Sequence, residues 1–359
     1  MTDKESSYAA APYGAESDPR GAIVDALGRP MRELRVSVTD RCNLRCSYCM
    51  PEDEYRWLPR EDVLTFDELS RLVDIFSSLG VEKVRLTGGE PLLRKGLAEL
   101  VRLISSKPAI HEVALTTNGI LLAPLASALR DSGLDRITVS LDSLRPGRFE
   151  EMTRRSGHEK VIEGLRSLSA AGFANSKIDS VVVRGVNDDE LVELVEFSRT
   201  IPAEVRFIEY MDVGGATGWA HDLVVSQDEI LAILSKSFDD LEPVPREDSA
   251  PATRYALPDG WTFGIVSSTT HPFCANCDRS RITADGVWYQ CLYAPKGIDL
   301  RRPLRSGASD HEMRQIVTQA WLIRRDAGAL ERLAMTRREA IPVTILRRDP
   351  HLEMHTRGG

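Results

Sequence analysis

The sequence predicts an α/β fold, namely an incomplete (β/α)6 barrel of the TIM type followed by a C-terminal α+β extension. Six short β-rich runs alternate with stretches of helical period, which is typical of a parallel sheet with right-handed crossovers. Six units are too few to close an eight-stranded barrel, and no glycine-rich dinucleotide fingerprint follows the first run. We therefore expect an open barrel with its chemistry at the carboxyl ends of the strands.

Each predicted element has its own local signal. The β-rich runs are Glu33–Val38, Glu82–Leu86, Glu112–Thr117, Arg136–Leu141, Lys177–Val183 and Glu204–Glu209. Three capping signals mark helix starts, and these are Thr65 with Glu68, Ser226 with Glu229, and Asn187 with Glu190. The first helix has apolar residues at helical spacing from Leu69 to Leu79 and is predicted to stop at Gly80.

The chain divides into three predicted regions. Residues 1–25 lack periodicity and are rich in small and charged residues, which predicts a flexible N-terminal tail. Residues 26–242 contain the six strand–helix units and form the predicted barrel core. Prolines then interrupt a linker and short strands follow, so residues 243–359 form the predicted C-terminal extension.

Composition excludes several functional classes. The formal charge of −8 over 359 residues disfavours general affinity for nucleic acid. No apolar run approaches the 18 or more residues that cross a bilayer, and the N-terminus lacks an apolar signal core. A cytoplasmic, reducing location is expected, so the six cysteines are interpreted as metal or cluster ligands, with disulfides as the alternative.

The first cysteine group is compact and follows a predicted strand. Cys42, Cys46 and Cys49 offer three thiolates, which select zinc or iron–sulfur. Three ligands leave one iron of a four-iron cluster open to a substrate or cofactor, whereas a structural zinc site needs a fourth protein ligand. The nearest histidine is His111, and the aromatic Tyr48 precedes the last cysteine. A cluster is therefore the favoured interpretation, and zinc is the alternative.

The second cysteine group consists of Cys274, Cys277 and Cys291. His271 could complete a Cys₃His zinc site. However, Arg279 and Arg281 alternate on one face of the next strand, and two cations beside a cationic site require an anion between them. A zinc site and a cluster with an anionic ligand both remain open here.

A hairpin explains the long gap in this second group. Asp285-Gly286 between two β-rich runs is a two-residue turn signal that would set position 280 opposite Cys291. That register brings Cys291 near Cys277, but it places the two arginines on the other face of the hairpin. A bulge or an early strand end would remove this conflict, and the sequence does not decide between them.

The first cysteine motif, together with Gly88-Gly89-Glu90 after the next strand, resembles the radical S-adenosylmethionine (SAM) superfamily. This resemblance implies a [4Fe–4S] cluster that binds SAM on its open iron and cleaves it to a 5′-deoxyadenosyl radical. The glycine pair would allow close backbone approach to the methionine part, and Glu90 could face its ammonium group. A plain turn after a strand is the alternative for the glycines.

Four longer segments resemble the GTP 3′,8-cyclase family of molybdenum cofactor biosynthesis, and these are Arg35–Asn43, Arg85–Pro91, Arg206–Asp212 and Phe273–Arg281. The resemblance implies a GTP-binding, metal-binding lyase. It would convert GTP to (8S)-3′,8-cyclo-7,8-dihydroguanosine 5′-triphosphate, the radical removing ribose H3′ before C3′ bonds to C8. No side chain is implied as a catalytic acid or base, because the radical is generated at the cluster.

The resemblance also implies the residues of each site. The SAM cluster would be held by Cys42, Cys46 and Cys49, and a second, substrate-binding [4Fe–4S] cluster by Cys274, Cys277 and Cys291. SAM would be lined by Tyr48, Gly89, Ser140 and Met211. GTP would be contacted by Arg35, Arg85, Thr116, Lys177, Arg279, Ser280 and Arg281. Several cations are what a triphosphate needs, although any one of them alone would more often be a surface charge.

The implied partners are GTP, an electron donor of the flavodoxin or ferredoxin type, and the cyclic pyranopterin monophosphate synthase that receives the product. Nucleic acid and membrane are not expected, and the chain would be a monomer or homodimer. The tail Arg357-Gly358-Gly359 carries arginine where the family pattern has an apolar residue. The resemblance implies that this tail reaches into the active site, where Arg357 would alter the docking of the tail or pair with the triphosphate. A frayed terminus is the alternative.

Two other functions are left open by the sequence. One is a different radical SAM enzyme, of the peptide-modifying type, that uses its auxiliary cluster on another substrate. The other is a zinc-binding regulatory protein without enzymatic activity.

Overall fold

A computed structural model describes residues 18–201, 203–245 and 249–358. Most of the predicted tail and Gly359 therefore lie outside the described residues. The strands in these ranges are β1 (Glu33–Ser37), β2 (Lys83–Thr87), β3 (Glu112–Thr117), β4 (Arg136–Ser140), β5 (Ser176–Val182), β6 (Ala203–Glu209), β7 (Glu242–Pro243), β8 (Thr253–Ala256), β9 (Thr262–Val266), β10 (Arg279–Ile282), β11 (Val287–Tyr289) and β12 (Ile298–Asp299).

The α-helices of the same ranges lie between and after these strands. They are α1 (Phe66–Ser77), α2 (Leu97–Ser105), α3 (Ala126–Asp131), α4 (Pro146–Thr153), α5 (His158–Ala170), α6 (Leu191–Thr200), α7 (Gln227–Leu234), α8 (Arg301–Arg305), α9 (Asp310–Leu322), α10 (Gly328–Leu333), α11 (Val343–Leu346) and α12 (Met354–Arg357). None of these helices is both long enough and apolar enough to span a membrane.

One sheet contains all of these strands, in the order β12-β11-β10-β1-β2-β3-β4-β5-β6-β9-β8-β7. Strands β1 to β6 pair in parallel in chain order, and β10 and β9 continue the parallel pairing at either side. The other four strands extend the two ends by antiparallel pairing. The C-terminal region thus adds strands to both ends of the core sheet, and the carboxyl ends of the parallel strands meet at one edge.

The six predicted core strands are present, each within one residue of its predicted bounds. Their side chains alternate between two environments, as strand geometry requires. On β1 and β2, Leu34, Val36, Val84 and Leu86 are at most 1% exposed and belong to the apolar core. The opposite face of the same strands carries charged and polar residues, and that face forms the site described below.

Two predicted helix starts are confirmed and one is wrong. Capping boxes begin α1 and α7 as predicted, and Ser309 begins α9 with a third one that the sequence analysis overlooked. Asn187 does not cap a helix. Its side-chain oxygen accepts from the Val183 amide (2.8 Å) and its amide donates to the Asp142 carbonyl (2.8 Å). Asn187 therefore joins the loops that follow β4 and β5, and α6 begins four residues later at Leu191.

The folded chain begins earlier than the predicted boundary at residue 25. Ala22 is fully buried, and the Ile23 amide donates to the carbonyl of Leu79 (3.0 Å). Asp18 forms an ion pair with Arg32 at the start of β1. Residues 18–25 therefore pack against the core, in contrast to the flexible tail expected there.

The hairpin of β10 and β11 differs from the predicted register by one residue. Arg281 lies opposite Tyr289, and the Thr283 amide donates to the Val287 carbonyl (2.9 Å) across a three-residue turn. Gly286 closes this turn at φ 86°, the left-handed conformation typical of a bulged hairpin. The prediction that position 280 lies opposite Cys291 is therefore wrong. Extending the observed register by two residues sets Arg279 opposite Cys291 instead. The conflict over the arginine face is thereby removed.

Candidate active site

The polar face of the sheet lines a cavity of about 1320 Å³. Every predicted site residue except Ser280 contributes to its wall, and these residues are Arg35, Cys42, Cys46, Tyr48, Cys49, Arg85, Gly89, Thr116, Ser140, Lys177, Met211, Cys274, Cys277, Arg279, Arg281 and Cys291. Ser280 is fully buried and lies beside Leu34 of β1. Its side chain belongs to the opposite, core-facing side of β10, because neighbours along a strand point to opposite faces.

The first cysteine triad lies in the loop after β1. The amides of Cys49 and Met50 both donate to the Cys46 carbonyl (3.0 and 2.8 Å), which curls the loop so that its thiols face the cavity. Burial raises the pKa of Cys42 to about 11 and that of Cys46 well above its usual range, and the neighbouring thiols raise the Cys46 value further. Three half-buried thiols whose negative charges would repel one another are suited to a cationic iron centre.

The glycine pair after β2 holds this loop in place. The amides of Gly89 and Glu90 donate to the carbonyls of Thr39 and Arg41 (both 2.8 Å), and a Cβ at Gly89 would lie 2.4 Å from the Arg41 oxygen. The pair is therefore required by contact with the chain itself, in addition to any contact with a ligand. This contact fixes the loop that carries Cys42.

Glu90 does not line the cavity, in contrast to its predicted place near an ammonium group. It is 1% exposed and accepts hydrogen bonds from the Thr117 hydroxyl (2.7 Å) and from the amides of Asn118 (2.7 Å) and Leu92 (2.9 Å). Burial raises its pKa to about 7. Its role in the described structure is to join the turn after β2 to the end of β3.

Asp142 is a site residue that the sequence analysis did not assign. The Tyr48 hydroxyl donates to its carboxylate (2.6 Å), and the Val181 amide donates to the other oxygen (2.8 Å). Burial raises the pKa of Asp142 to about 6. The sequence contained a signal for it, because Asp142 directly follows the predicted strand Arg136–Leu141, at the carboxyl end where the chemistry was expected. It orients the aromatic side chain of the first cysteine motif.

The second triad lines the same cavity under different electrostatics. Burial alone would raise the pKa of Cys277, but Arg279 and Arg324 outweigh burial and lower it to about 7. The Arg279 guanidinium lies 3.8 Å from the Cys277 sulfur. The pKa of Cys291 is raised by burial. This triad therefore combines thiols with guanidinium groups that can also attract an anionic ligand.

Buried charges brace the second triad from behind. Arg29 and Arg324 both pair with Asp25 (2.6 and 3.2 Å), and all three side chains are at most 2% exposed. Arg29 donates to the Cys274 carbonyl (3.0 Å), and Arg324 donates to that of Cys277 (3.1 Å). This brace has no local signal in the sequence, because Arg324 lies 299 positions from Asp25.

The chemistry of the donor sets decides which metal group fits. His271 does not line the cavity, and its ring nitrogen lies 3.0 Å from the Thr270 hydroxyl. Among the described residues, no group of three or more His, Cys, Asp or Glu side chains has the arrangement of a site for a single metal ion. Three thiols at each of two places in one cavity are a suitable donor set for iron–sulfur clusters, which are held by thiolates and are larger than one ion.

Cations and carboxylates alternate along the wall of the cavity. Arg35 and Arg85 lie 3.1 and 3.5 Å from the Glu33 carboxylate, and they hold its pKa far below the usual range although burial alone would raise it. Lys177 lies 3.3 Å from Glu204, and burial together with the nearby Arg206 lowers the Lys177 pKa to about 8. Four further cations that the sequence did not point to line the cavity, and these are Lys83, Arg136, Arg206 and Arg254.

The C-terminal tail reaches this site. Arg281 donates to the Gly358 carbonyl (2.8 Å), and a Cβ at Gly358 would lie 2.0 Å from the Thr87 hydroxyl. Arg357 does not line the cavity. Its guanidinium lies over the Tyr289 ring (4.1 Å to the centroid) and donates to the Leu292 carbonyl (2.6 Å). The frayed terminus left open by the sequence is thus not found in the described part of the tail.

Comparison with family models defines the class of protein. The Radical SAM superfamily model matches residues 36–198, and the Molybdenum Cofactor Synthesis C model matches residues 203–330. Among solved structures, SuiB of Streptococcus suis bound to S-adenosylmethionine shares the fold at a TM-score of 0.55 and 16% identity, covering 83% of this chain and 69% of that one. The fold and the family match are those of a radical SAM protein, and this class implies a [4Fe–4S] cluster and SAM.

Curated relatives narrow the class further. GTP 3',8-cyclase 3 of Mycobacterium bovis is 56% identical over 94% of this chain and 90% of its own length. GTP 3',8-cyclase 1 of Mycobacterium tuberculosis is 55% identical over 95% and 96%, and the GTP 3',8-cyclase of Aquifex aeolicus is 43% identical over 89% and 98%. The chain therefore belongs to the GTP 3',8-cyclase family.

Proposed function

We propose that this protein converts GTP to (8S)-3′,8-cyclo-7,8-dihydroguanosine 5′-triphosphate, the first step of molybdenum cofactor biosynthesis. The observation that carries the proposal is one cavity lined by two cysteine triads and a set of cations, one of which, Arg281, donates to Gly358 of the C-terminal tail. A radical source and a triphosphate both need a place in this reaction. The lining supplies thiols for the first and guanidinium groups for the second.

The two triads would hold two [4Fe–4S] clusters. Cys42, Cys46 and Cys49 would hold the first cluster, which would supply the electron that cleaves SAM to the 5′-deoxyadenosyl radical that removes ribose H3′. Tyr48, fixed by Asp142, and Gly89, Ser140 and Met211 would line SAM. Cys274, Cys277 and Cys291 would hold the second cluster, with Arg279 and Arg281 beside the guanine base.

The triphosphate would be bound by the cations of the cavity wall. Arg35, Arg85 and Lys177 each have a carboxylate within 3.5 Å, so their side chains are already oriented before a ligand arrives. Guanidinium groups bind phosphate oxygens in a bidentate manner, and Thr116 adds a hydroxyl beside Arg85 (3.3 Å). Ser280 would reach GTP through its backbone alone, since its side chain faces the core.

The finer architecture and the partners belong to the same proposal. The sheet would curl into an incomplete (β/α)6 barrel, with residues 26–242 as its core and residues 243–359 as the region of the second cluster. A flavodoxin or ferredoxin would supply two electrons, one to cleave SAM and one that, with a proton, reduces the radical left when C3′ bonds to C8. The product would pass to the cyclic pyranopterin monophosphate synthase. The enzyme would work in the cytoplasm as a monomer or homodimer.

Isotope transfer tests this function directly. The anaerobically reconstituted enzyme is given SAM, a reductant and GTP carrying deuterium at C3′, and the 5′-deoxyadenosine is analysed by mass spectrometry. Deuterium in 5′-deoxyadenosine and a 3′,8-cyclised product are expected, whereas GTP deuterated at C8 should transfer none. Unlabelled 5′-deoxyadenosine from the C3′-labelled substrate would overturn the proposed abstraction. A purified protein that contains zinc and no acid-labile sulfide would overturn the proposal that the cysteine triads hold iron–sulfur clusters.

A further inference from the structure

One strand carboxylate of the cavity wall has a buried oxygen without a hydrogen-bond donor among the described residues. Asp179 lies on β5 and lines the cavity, and its buried Oδ1 has no hydrogen-bond partner among the described residues. The other carboxylates that strands contribute to the wall have partners. Glu33 pairs with Arg35, Glu112 with Arg136 and Glu204 with Lys177, and Glu209 accepts from the amides of Gln227 and Thr269. A buried acceptor without a donor is costly, so a native structure that retains one invites a functional explanation.

Its position lies between the residues predicted for SAM and those predicted for GTP. The parallel register sets Asp179 beside Ser140 of β4 and beside Arg206 of β6. Lys177, two residues away on the same face of β5, is a predicted GTP contact, whereas Ser140 is a predicted SAM contact. A ligand group near Asp179 would therefore belong to the parts of the two nucleosides that approach each other.

The charge of Asp179 selects the kind of group that it can bind. An ionised carboxylate accepts hydrogen bonds only, and phosphate oxygens at neutral pH are acceptors as well, so the two repel each other. Ribose hydroxyls can donate, and both SAM and GTP carry them. The guanine N–H groups can also donate, but Arg279 and Arg281, its predicted contacts, lie on β10, five places from β5 in the strand order.

From this placement we infer that Asp179 accepts a hydrogen bond from a ribose hydroxyl of a nucleoside ligand bound in the cavity. The inference rests on the proposed function and adds a specificity-determining residue to it. The structure leaves two sources for the hydroxyl, the ribose of GTP and that of SAM, and binding measurements distinguish them.

The test compares Asp179→Ala with Asp179→Asn. Equilibrium binding of GTP, 2′-deoxy-GTP, 3′-deoxy-GTP and SAM is measured on anaerobically reconstituted enzyme without reductant, so that no turnover occurs. Asp179→Ala should bind one ribonucleoside ligand about 10- to 100-fold more weakly, as expected for a lost hydrogen bond to a charged group. Asp179→Asn keeps an oxygen acceptor and should stay within a few-fold of wild type.

The pattern of losses identifies the source. If the hydroxyl belongs to GTP, one deoxy analogue should bind wild type weakly, and Asp179→Ala should no longer distinguish that analogue from GTP. If it belongs to SAM, only SAM affinity should fall. Ser180→Ala is the matched control, because Ser180 is the next residue of β5, is fully buried and points to the other face. Iron content and melting temperature verify that each variant is folded and loaded.

Two results would overturn the inference. One is an Asp179→Ala enzyme that binds all four ligands like wild type. The other is an Asp179→Asn enzyme as weak as Asp179→Ala, which would show that the residue acts only as a counter-charge for the cations. Failure of the proposed function looks different, since wild-type enzyme would then fail to bind GTP or to transfer deuterium from C3′.

Discussion

Arg357 shows how a single side chain can hold a tail in place where the family pattern has an apolar residue. Its guanidinium lies over Tyr289 and donates to the Leu292 carbonyl, directly after Cys291. Arg357→Ala removes the cation–π contact and this hydrogen bond, a loss of about 1 to 3 kcal/mol for the docked tail. We expect faster hydrogen exchange in residues 351–358, measured by mass spectrometry. Arg337→Ala is the control, since that side chain is 86% exposed.

If exchange of residues 351–358 is the same in Arg357→Ala as in wild type, the arginine does not hold the tail. Arg357→Lys sharpens the comparison, because lysine keeps the charge but lacks the planar group with several donors. Intermediate exchange is expected for that variant.

Lys177 should give GTP binding a pH dependence. Burial and the nearby Arg206 lower its pKa to about 8, while Glu204 opposes them. The lysine is therefore charged at pH 7 and loses its charge as pH rises through 8, so a triphosphate should bind more weakly at pH 9. Equilibrium binding of GTP to the reconstituted enzyme between pH 7 and 9 measures this decline. Lys177→Arg stays charged throughout, and its decline should be smaller. Identical profiles for the two proteins would contradict the prediction.

Asp212, three residues after β6, connects the loop that follows β6 to three residues of the C-terminal region. The loop after β6 places its carboxylate, which is fully buried, against Arg338 (2.6 Å), Arg332 (2.8 Å) and the Tyr293 hydroxyl (3.3 Å). Asp212→Asn leaves two guanidinium groups without a counter-charge, and breaking a buried pair costs about 3 to 5 kcal/mol. The midpoint of urea unfolding should fall clearly.

The control for that prediction is Asp310→Asn at an exposed ion pair with Arg71, where a change of about 1 kcal/mol or less is expected. Equal midpoints for Asp212→Asn and Asp310→Asn would show that the buried carboxylate does not join the elements. Since Tyr293 lines the cavity two residues after Cys291, weaker iron binding at the second triad should accompany the loss of stability.

Elements were predictable from sequence where their signals are local. Strand alternation gave the six core strands, and side-chain capping gave the starts of α1 and α7. The hairpin register failed because Asp285-Gly286 occurs in two-residue and in bulged turns alike, and tertiary packing decides between them. Asn187 failed because its side chain bonds to loops distant in sequence, which compete with the helix start.

In the candidate site, too, features with a local sequence signal were predictable and features that depend on contacts distant in sequence were not. Cysteine spacing and the resemblance led to residues that line one cavity. The brace formed by Asp25, Arg29 and Arg324 has no motif, since its members meet only after the chain folds. Glu90 was misplaced because a sequence shows that a carboxylate follows two glycines but not which way it points.

At the scale of the whole molecule, the net charge is negative while cations collect in the cavity of the candidate site, and this distribution affects ligand binding. The chain carries a net charge of −8, yet the cavity of the candidate site is lined by cations from several strands. Salt screens charges inside a cavity less than it screens charges on an open surface. The attraction between these cations and a bound triphosphate should therefore weaken less as salt is added. Raising the ionic strength from 0.05 to about 0.3 M should therefore lower GTP affinity modestly, by about tenfold or less. A loss of several hundredfold would indicate that the triphosphate binds at the exposed surface instead.

The two cysteine triads should be separable although they share a cavity. The first triad lies in a loop held by the glycine turn after β2, and the second is braced by Asp25 with two arginines, so each has its own support. Replacing Cys42, Cys46 and Cys49 with alanine should leave about four of eight irons, together with GTP binding. Replacing Cys274, Cys277 and Cys291 with alanine should leave about four irons and SAM binding, but it should weaken the binding of GTP. Iron, acid-labile sulfide and ligand binding are measured on each variant. If either triple variant loses all its iron while remaining folded by circular dichroism, the two triads form one centre, and the division of labour between SAM and GTP fails.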